Sequence, residues 1–242
     1  MKKTIVIIGA GSGVGLAIAE RFGKENYNVA LLARNKNKLD KLVAELAAKG
    51  ISAISFQADV MDRIGLANTL TTIKENFGTI DVIEFSPTPA IDSMRAPRDI
   101  NVENAQYHLD FQVLSAITAV QSVLPEMLER KEGSILFTTA ASAQKPLSIT
   151  ASFGVAAGAL LNYARLLHKD LASDNIFAGI VSIAALVYNG DKPNEELLKH
   201  FPVGMPTISA EEVAETHWKM HLDQGENEII VGDINAFDSI LH

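Results

Sequence analysis

A glycine-rich turn near the N-terminus is the first stretch of the chain whose residues could do chemistry. The apolar residues 5–8 predict a buried strand, and the spacing of Val14, Ile18 and Phe22 predicts a helix that begins within the glycines. A strand, a glycine turn and a helix N-terminus in this order favour a phosphate, because unpaired backbone amides and the positive end of the helix dipole point toward the turn. The turn therefore predicts a nucleotide cofactor, contacted by Gly9, Gly11, Ser12, Gly13, Val14 and Gly15.

A cationic side chain follows the second predicted strand, Asn28–Ala33. Arg34 and Asn35 stand at the carboxyl edge of that strand, where a dinucleotide fold meets the adenosine ribose. Arginine matches a 2′-phosphate, whereas an acidic side chain at this place would accept a hydrogen bond from a free 2′-hydroxyl. We therefore expect NADP(H) to be preferred over NAD(H), with the Ser12 hydroxyl as a further donor to the phosphate. The alternative is that Arg34 is a solvated loop cation.

Predicted strands and helices alternate along the chain with short links. This alternation is typical of an α/β fold in which helices cover both faces of a doubly wound parallel sheet, joined by right-handed crossovers. The strands are predicted at 5–8, 28–33, 51–57, 79–85, 133–137, 175–183 and 228–231, and the helices at 36–49, 62–77, 101–130, 152–172 and 209–222. Ser209 and Glu212 have the spacing of a capping box at the start of the last helix. Three prolines predict a loop over 86–99.

The chain resembles the short-chain dehydrogenases/reductases over essentially its full length. The resemblance rests on the spacing of Gly9, Gly13 and Gly15, on the Arg34 edge, and on Asp59 and Val60 after the third strand. It implies one Rossmann-type domain over 1–242 and NAD(P)(H)-dependent oxidation or reduction of alcohols and carbonyls. It further implies cofactor contacts from Asp59, Val60 and Ser86, a segment at 187–206 that covers the substrate, and a homo-oligomer, a dimer or a tetramer, formed through two long helices.

The catalytic residues of the resembled family are replaced in this sequence. Members of that family use an asparagine, a serine, a tyrosine and a lysine around the substrate oxygen, and the matching positions here are Gln112, Ala140, Phe153 and Ala157. Phenylalanine and alanine side chains have no proton to donate. The resemblance is thus to a divergent member, for which the standard mechanism is not expected.

Other side chains could take over the proton transfer. His108 lies one helical turn before Gln112, and Thr139 and Ser142 flank Ala140. Tyr188 lies in the covering segment, and Lys145 lies in the loop after the fifth strand. Each also has an ordinary structural interpretation, such as a core histidine, a hydroxyl bonded to nearby backbone, or a solvated lysine. The catalytic residues therefore stay unknown at this point.

Composition excludes several classes of function. The 242 residues carry a net charge of −8 and include no cysteine, and no run of Lys and Arg exceeds two residues. We therefore expect no nucleic-acid partner, no anionic membrane surface, no disulfide and no thiolate metal site. No apolar run approaches the roughly 20 residues of a membrane span, and we expect a cytoplasmic protein. His217 and His221 have helical i, i+4 spacing without the adjacent glutamate of a zinc protease, and we expect no metal.

Three hypotheses of function follow from the sequence. The first is an oxidoreductase that moves hydride between NADP(H) and a carbonyl, an alcohol or a related small molecule at a nonstandard site. The second is a catalytically inactive NADP(H)-binding sensor or partner subunit, which the replaced residues favour. The third is a methyltransferase that uses S-adenosylmethionine, but such a site usually has an acidic residue where this chain has Arg34.

Overall fold

A seven-stranded parallel sheet lies at the centre of the computed structural model, which describes residues 2–190 and 204–236. The strands of the described residues are β1 (Thr4–Ile8), β2 (Asn28–Ala33), β3 (Ala53–Gln57), β4 (Val82–Phe85), β5 (Gly133–Ala140), β6 (Ile176–Ala184), β7 (Leu186–Tyr188), β8 (Thr207–Ser209) and β9 (Glu228–Gly232). All but β7 and β8 form the central sheet, in the order β3-β2-β1-β4-β5-β6-β9, and every neighbouring pair is parallel. The doubly wound parallel sheet predicted from the sequence is confirmed.

Helices cover both faces of this sheet. They are α1 (Val14–Lys24), α2 (Lys36–Ala48), α3 (Arg63–Phe77), α4 (Val102–Leu109), α5 (Ser115–Arg130), α6 (Ala151–Leu171) and α7 (Ala210–Asp223). Alternate residues of β1 point to opposite faces, as the strand period of two requires. Ile5 and Ile7 join the core under α1, α2 and α7, whereas Val6 and Ile8 join the core under α3, α5 and α6.

The turn after β1 depends on two glycines. Gly9 has a φ of +95°, and a Cβ there would lie 2.5 Å from the backbone nitrogen of Pro87, so no other residue fits without displacing backbone. The amides of Gly9 and Ala10 both donate to the carbonyl oxygen of Leu32, at 2.9 and 3.0 Å. At Gly15 a Cβ would lie 3.1 Å from the Cα of Ala10, so glycine lets α1 pack closely against the turn. The ends of β1, β2 and β4 therefore meet at one place.

Several element boundaries differ from the predicted ones. The fourth strand begins at Val82 rather than at residue 79, and the Asp81 carboxylate just before it accepts from the amide of Thr4 at 2.8 Å and from the guanidinium of Arg130 at 3.0 Å. The third strand begins at Ala53 rather than at 51, and the fifth continues to Ala140. The capping box of α7 is present as predicted, with the Ser209 side chain accepting from the amide of Glu212.

Two features of the chain were not predicted. A π-helical turn, Asp110–Leu114, joins α4 to α5, so that helical structure is continuous over Val102–Arg130. A small second sheet pairs β7 with β8. Most of the predicted covering segment at 187–206 lies outside the described residues.

The helical stretch Val102–Arg130 is long and apolar enough to cross a membrane by length and composition. Its inner side chains, among them Phe111, Val120 and Val123, pack in the core between the sheet and α3 and α6. Core helices of this kind meet the same criteria as membrane spans, and we interpret the stretch as a core helix.

Substitution at Gly9 tests the constraint at the turn. We expect Gly9→Ala to lower the free energy of unfolding by about 3 kcal/mol, because alanine combines an unfavourable positive φ with a backbone clash. Gly11→Ala is the matched control, since a Cβ at Gly11 meets nothing within 4 Å. Urea unfolding of both variants measures the difference. Equal stability of the two would contradict the role of Gly9.

Candidate functional site

One cavity of about 500 Å³ opens at the carboxyl ends of the central strands. The glycine turn forms one wall, the ends of β4, β5 and β6 form the floor, and the start of α6 forms another wall. The lining is mainly apolar, and no described residue of it carries a charged side chain. Its larger apolar side chains are Phe85, Met94, Leu147, Phe153, Leu160, Ile183, Leu186, Val187 and Met205.

The depression continues past Gly9 toward Arg34. A second cavity of about 120 Å³ shares Gly9, Pro87 and Thr88 with the main cavity and is also lined by Arg34 and Val60. A third, of about 400 Å³, lies beyond Arg34 and is lined by Asp59 and Asp62 among others. The three spaces follow the sheet edge in a row, as an elongated ligand would require.

The glycine turn leaves room for a ligand at the N-terminus of α1. A Cβ at Gly11 would meet nothing within 4 Å, and one at Gly13 would meet only the Asn189 side chain, at 3.9 Å. No side chain caps the helix at Gly13, so its first amides are open to an anion. The Asn189 amide donates to the carbonyl oxygen of Ser12. These residues fit the pyrophosphate of a dinucleotide, which needs backbone amides and close approach.

Three residues that line the main cavity each carry a buried polar atom that has no hydrogen-bond partner within residues 2–190 and 204–236. The atoms are Nε2 of Gln112, Oγ1 of Thr139 and Oγ of Ser142. An unsatisfied buried polar group costs on the order of 1–3 kcal/mol, so such groups are typical of places where a ligand supplies the partner. A carboxamide or a carbonyl oxygen of a bound molecule would satisfy them.

The positions that the resemblance linked to catalysis lie around this cavity. Gln112 on the π turn, Ala140 at the end of β5 and Phe153 in the first turn of α6 all line it. Ala157 is buried one turn further along α6 and is not among the described lining residues. The described lining includes no tyrosine, lysine or histidine, so it can orient a ligand but has no titratable group of its own.

His108 lies away from the main cavity. It is fully buried, and its Nε2 lies 3.2 Å from the carbonyl oxygen of Ser93. The sequence placed His108 and Gln112 on one helical face, but Gln112 lies within the π turn, whose wider spacing changes the alignment of the two side chains. Only Gln112 reaches the cavity lining.

The other candidates separate into two groups. Thr139 and Ser142 line the main cavity, whereas Tyr188 is half-buried at the end of β7, the strand whose Leu186 and Val187 line the cavity. Lys145 is not among the described lining residues.

Local hydrogen bonds occupy two side chains that were predicted to bind cofactor. Asn35 caps α2 by accepting from the amide of Lys38, and the Asp59 carboxylate accepts from the amide of Met61. Each of these hydrogen bonds gives its side chain a structural role that requires no ligand.

A buried carboxyl group beneath the cavity was not predicted. Glu84 in β4 is 0% exposed and accepts from the hydroxyls of Ser86, at 2.8 Å, and Thr138, at 2.7 Å. Both hydroxyl-bearing residues line the main cavity. The ring Nε2 of His217 lies 2.8 Å from the same Thr138 oxygen. An acidic residue inside the apolar run Val82–Phe85 was the available sequence signal.

Burial shifts the pKa values of this network in opposite directions. It raises the pKa of Glu84 to about 7, and the two hydroxyl donors only partly oppose the rise. Burial lowers the pKa of His217 to about 3, so the ring is neutral near pH 7. His221 has different partners, Ser134 and Tyr27, and burial and Lys3 lower its pKa to about 4. The two histidines thus do not share a ligand site.

The fold and the row of cavities define a Rossmann-type nucleotide-binding α/β protein. Residues 3–188 match the short chain dehydrogenase family, and the chain therefore belongs to that family. The resemblance inferred from the glycine spacing is confirmed.

Known relatives include oxidoreductases from bacteria. An uncharacterized oxidoreductase of Staphylococcus epidermidis is 27% identical over 177 residues, covering 72% of this chain and 74% of that protein. Glucose 1-dehydrogenase 2 of Bacillus subtilis is 28% identical over 213 residues, covering 83% and 81%.

Solved structures share the fold at lower identity. L-sorbose reductase of Gluconobacter frateurii, complexed with NADPH and L-sorbose, has a TM-score of 0.82 at 23% identity, with 95% of each chain covered. NAD⁺-bound xylitol dehydrogenase has a TM-score of 0.81 at 20% identity, with 95% of this chain and 97% of that chain covered. Structures of this fold thus include one that holds NADPH and one that holds NAD⁺.

The pH dependence of stability tests the state of Glu84. Because its pKa is about 7 in the folded protein against an ordinary 4.5, the unfolded chain ionises first as the pH rises. The neutral carboxyl therefore contributes its full stability below pH 4.5, and this contribution is lost by about pH 7. The free energy of unfolding should fall by about 3 kcal/mol over this range in wild type, and this fall should be absent in Glu84→Gln.

Urea unfolding of both proteins across this pH range measures the fall. Glu45→Gln on the exposed side of α2 is the control, because it removes a carboxylate outside the network. If the free energies of unfolding of wild type and Glu84→Gln differ by the same amount at every pH, Glu84 is not neutral in the folded protein below pH 7.

Proposed function

We propose that the protein is an NADP(H)-dependent oxidoreductase that acts on a small neutral carbonyl or alcohol at a nonstandard active site. The observation that carries the proposal is the row of cavities, which joins an open glycine turn to an apolar chamber with unsatisfied polar atoms. The nicotinamide cofactor supplies the hydride, so the protein must chiefly bind and orient two molecules.

The cofactor would lie along the three cavities. Amides at the start of α1 would hold the pyrophosphate, with Gly11 and Gly13 providing the space. Val60 would contact the adenosine half in the small cavity, and Arg34 beside it would bind a 2′-phosphate. Arg34 is exposed and, among the described residues, forms no ion pair with a carboxylate, so its charge is available.

The main cavity favours a neutral, mainly apolar substrate. A charged substrate would lose hydration there without gaining an ion pair, because no described lining residue is charged. Thr139 and Ser142 would donate to the substrate oxygen or to the carboxamide of the cofactor, and the apolar walls would exclude water.

A non-catalytic role is the second candidate. Phe153 and Ala140 line the cavity at the places where the family resemblance implies a tyrosine and a serine, which favours a protein that binds NADP(H) without turnover. The family membership and Arg34 give no support to a methyltransferase.

We also propose a cytoplasmic homo-oligomer, a dimer or a tetramer. Exposed apolar side chains on α6, Val155 and Leu166, and Leu114 at the end of the π turn support a contact through the long helices.

Arg34→Ala tests the cofactor preference. Loss of one charge-assisted contact to the 2′-phosphate should weaken NADPH binding about 10- to 100-fold and leave NADH binding nearly unchanged. Fluorescence titration of the purified protein with each cofactor measures both affinities. Lys24→Ala, at the far end of α1, is the charge-matched control. Unchanged NADPH affinity would refute the role of Arg34, and binding of neither cofactor would refute the proposed function.

Thr139→Val and Ser142→Ala test the polar atoms of the cavity. Each should lower kcat/KM for a neutral ketone about 10- to 100-fold, because a donor to the reacting oxygen is lost. Each should leave the melting temperature unchanged or raised, because an unsatisfied buried hydroxyl is removed. NADPH absorbance, followed with neutral ketones and with keto acids, measures turnover. NADPH binding without turnover of any substrate would favour the non-catalytic role.

A further inference from the structure

The cavity needs a proton source that its own lining does not provide. Reduction of a carbonyl adds a proton to oxygen, and the described lining offers only hydroxyls and one amide as donors. A hydroxyl gives up its proton near neutral pH only if another group replaces that proton in the same step. A titratable group must therefore stand behind a lining hydroxyl.

Glu84 is the carboxyl group that stands behind the lining hydroxyls. Its two oxygens accept from Ser86 and Thr138, one on its own strand and one on the neighbouring strand β5. The lining hydroxyls of Thr88 and Thr150 donate to backbone carbonyls instead. Within the described part of the chain, Glu84 is thus the acidic side chain that connects directly to the cavity wall.

The contact with His217 gives the Thr138 hydroxyl a second hydrogen-bond partner that the Ser86 hydroxyl does not have among the described residues. The His217 ring is neutral, and its Nε2 lies 2.8 Å from Thr138 Oγ1. Since Thr138 donates to Glu84, it can satisfy this contact only by accepting the Nε2 proton of His217. The Thr138 hydroxyl is thereby held by two hydrogen bonds, one to Glu84 and one from His217. Ser86 has no second bond of this kind among the described residues, so its hydroxyl is the one that can turn to the cavity.

The groups that face Glu84 are few. They are Ser86 above it, Thr138 from β5 and, through Thr138, His217 from α7. No described lysine or arginine forms an ion pair with Glu84. Its protonation is therefore set by burial and by these hydrogen bonds, which a ligand of Ser86 would change.

We propose that Glu84 is the proton reservoir of the main cavity and that it acts through the Ser86 hydroxyl. During reduction, bound NADPH would supply the hydride, with its own C–H bond breaking as a C–H bond forms at the carbonyl carbon, and the carbonyl oxygen would take the Ser86 hydroxyl proton. Ser86 Oγ takes the carboxyl proton of Glu84 in the same step, which leaves Glu84 as a carboxylate until water returns a proton. In alcohol oxidation each transfer runs in reverse. This inference rests on the proposed function.

The same geometry couples ligand binding to protonation. The Ser86 hydroxyl has one proton, which it donates either to the Glu84 carboxylate or to a ligand oxygen. A ligand that accepts it removes a hydrogen bond from the carboxylate and so favours the neutral carboxyl. A pKa of Glu84 of about 7 places this exchange near neutral pH, where a shift of one unit corresponds to uptake of about half a proton.

Calorimetric titration with NADPH in buffers of different ionisation enthalpy measures this uptake. Near pH 7.5, which lies just above the Glu84 pKa, we expect wild type to take up about half a proton per NADPH. Glu84→Gln and Ser86→Ala should take up none while still binding NADPH. Ser134→Ala, on β5 but bonded to His221, is the control and should behave as wild type.

Turnover supplies the second readout. In wild type, kcat/KM for ketone reduction should fall as the pH rises through about 7, because the reservoir loses its proton. Glu84→Gln should flatten this profile and lower kcat, whereas Thr138→Val should keep the profile with its midpoint moved to higher pH.

The possible outcomes separate the two proposals. NADPH binding to wild type without proton uptake, together with a kcat/KM for ketone reduction that does not fall through about pH 7, would overturn the reservoir and leave the proposed function standing. Equal uptake by wild type and Ser86→Ala would overturn the path through Ser86. Absence of NADPH binding to wild type would overturn the proposed function and the reservoir with it. A structural role of Glu84 alone would change stability with pH but would not give proton uptake on binding.

Discussion

The approach of Gly9 to the backbone of Ser86 and Pro87 is the constraint on which the site depends. A positive φ and a missing Cβ let the turn after β1 lie against the chain that leaves β4. One side of this contact is the phosphate-binding turn, and the other side is the strand end that carries Ser86. The geometry of the cofactor site and that of the hydroxyl above Glu84 are therefore fixed together, by packing between two backbones rather than by side chains.

Much of the fold could be predicted because its signals are local. Apolar runs, glycine spacing and the Ser209 cap each act within a few residues, and all of them correspond to observed elements. The π turn and the β7–β8 pair had no such signal. A π turn differs from an α turn by one inserted residue without a distinctive composition, and strands of three residues are too short to show a period.

The candidate site was predictable in part, for the same reason. The family resemblance indicated Gln112, Ala140 and Phe153 as the positions of its catalytic residues, and all three line one cavity. Glu84 was not found, because its importance depends on Thr138 and His217, which lie far along the chain and meet it only when β4, β5 and α7 pack. An acidic residue in an apolar run indicates that the carboxyl has hydrogen-bond partners in the folded protein, but the identity of those partners depends on the tertiary structure.

The Glu84 network also constrains the order in which its three residues could be introduced by single substitutions. A glutamate at this position without hydroxyls at 86 and 138 would be a buried carboxyl with no partner, at a cost of several kcal/mol. The hydroxyls are viable without the glutamate, because Thr138 also reaches His217 and Ser86 borders the cavity. A series of single substitutions that avoids an unsatisfied buried carboxyl therefore introduces the serine and the threonine before the glutamate.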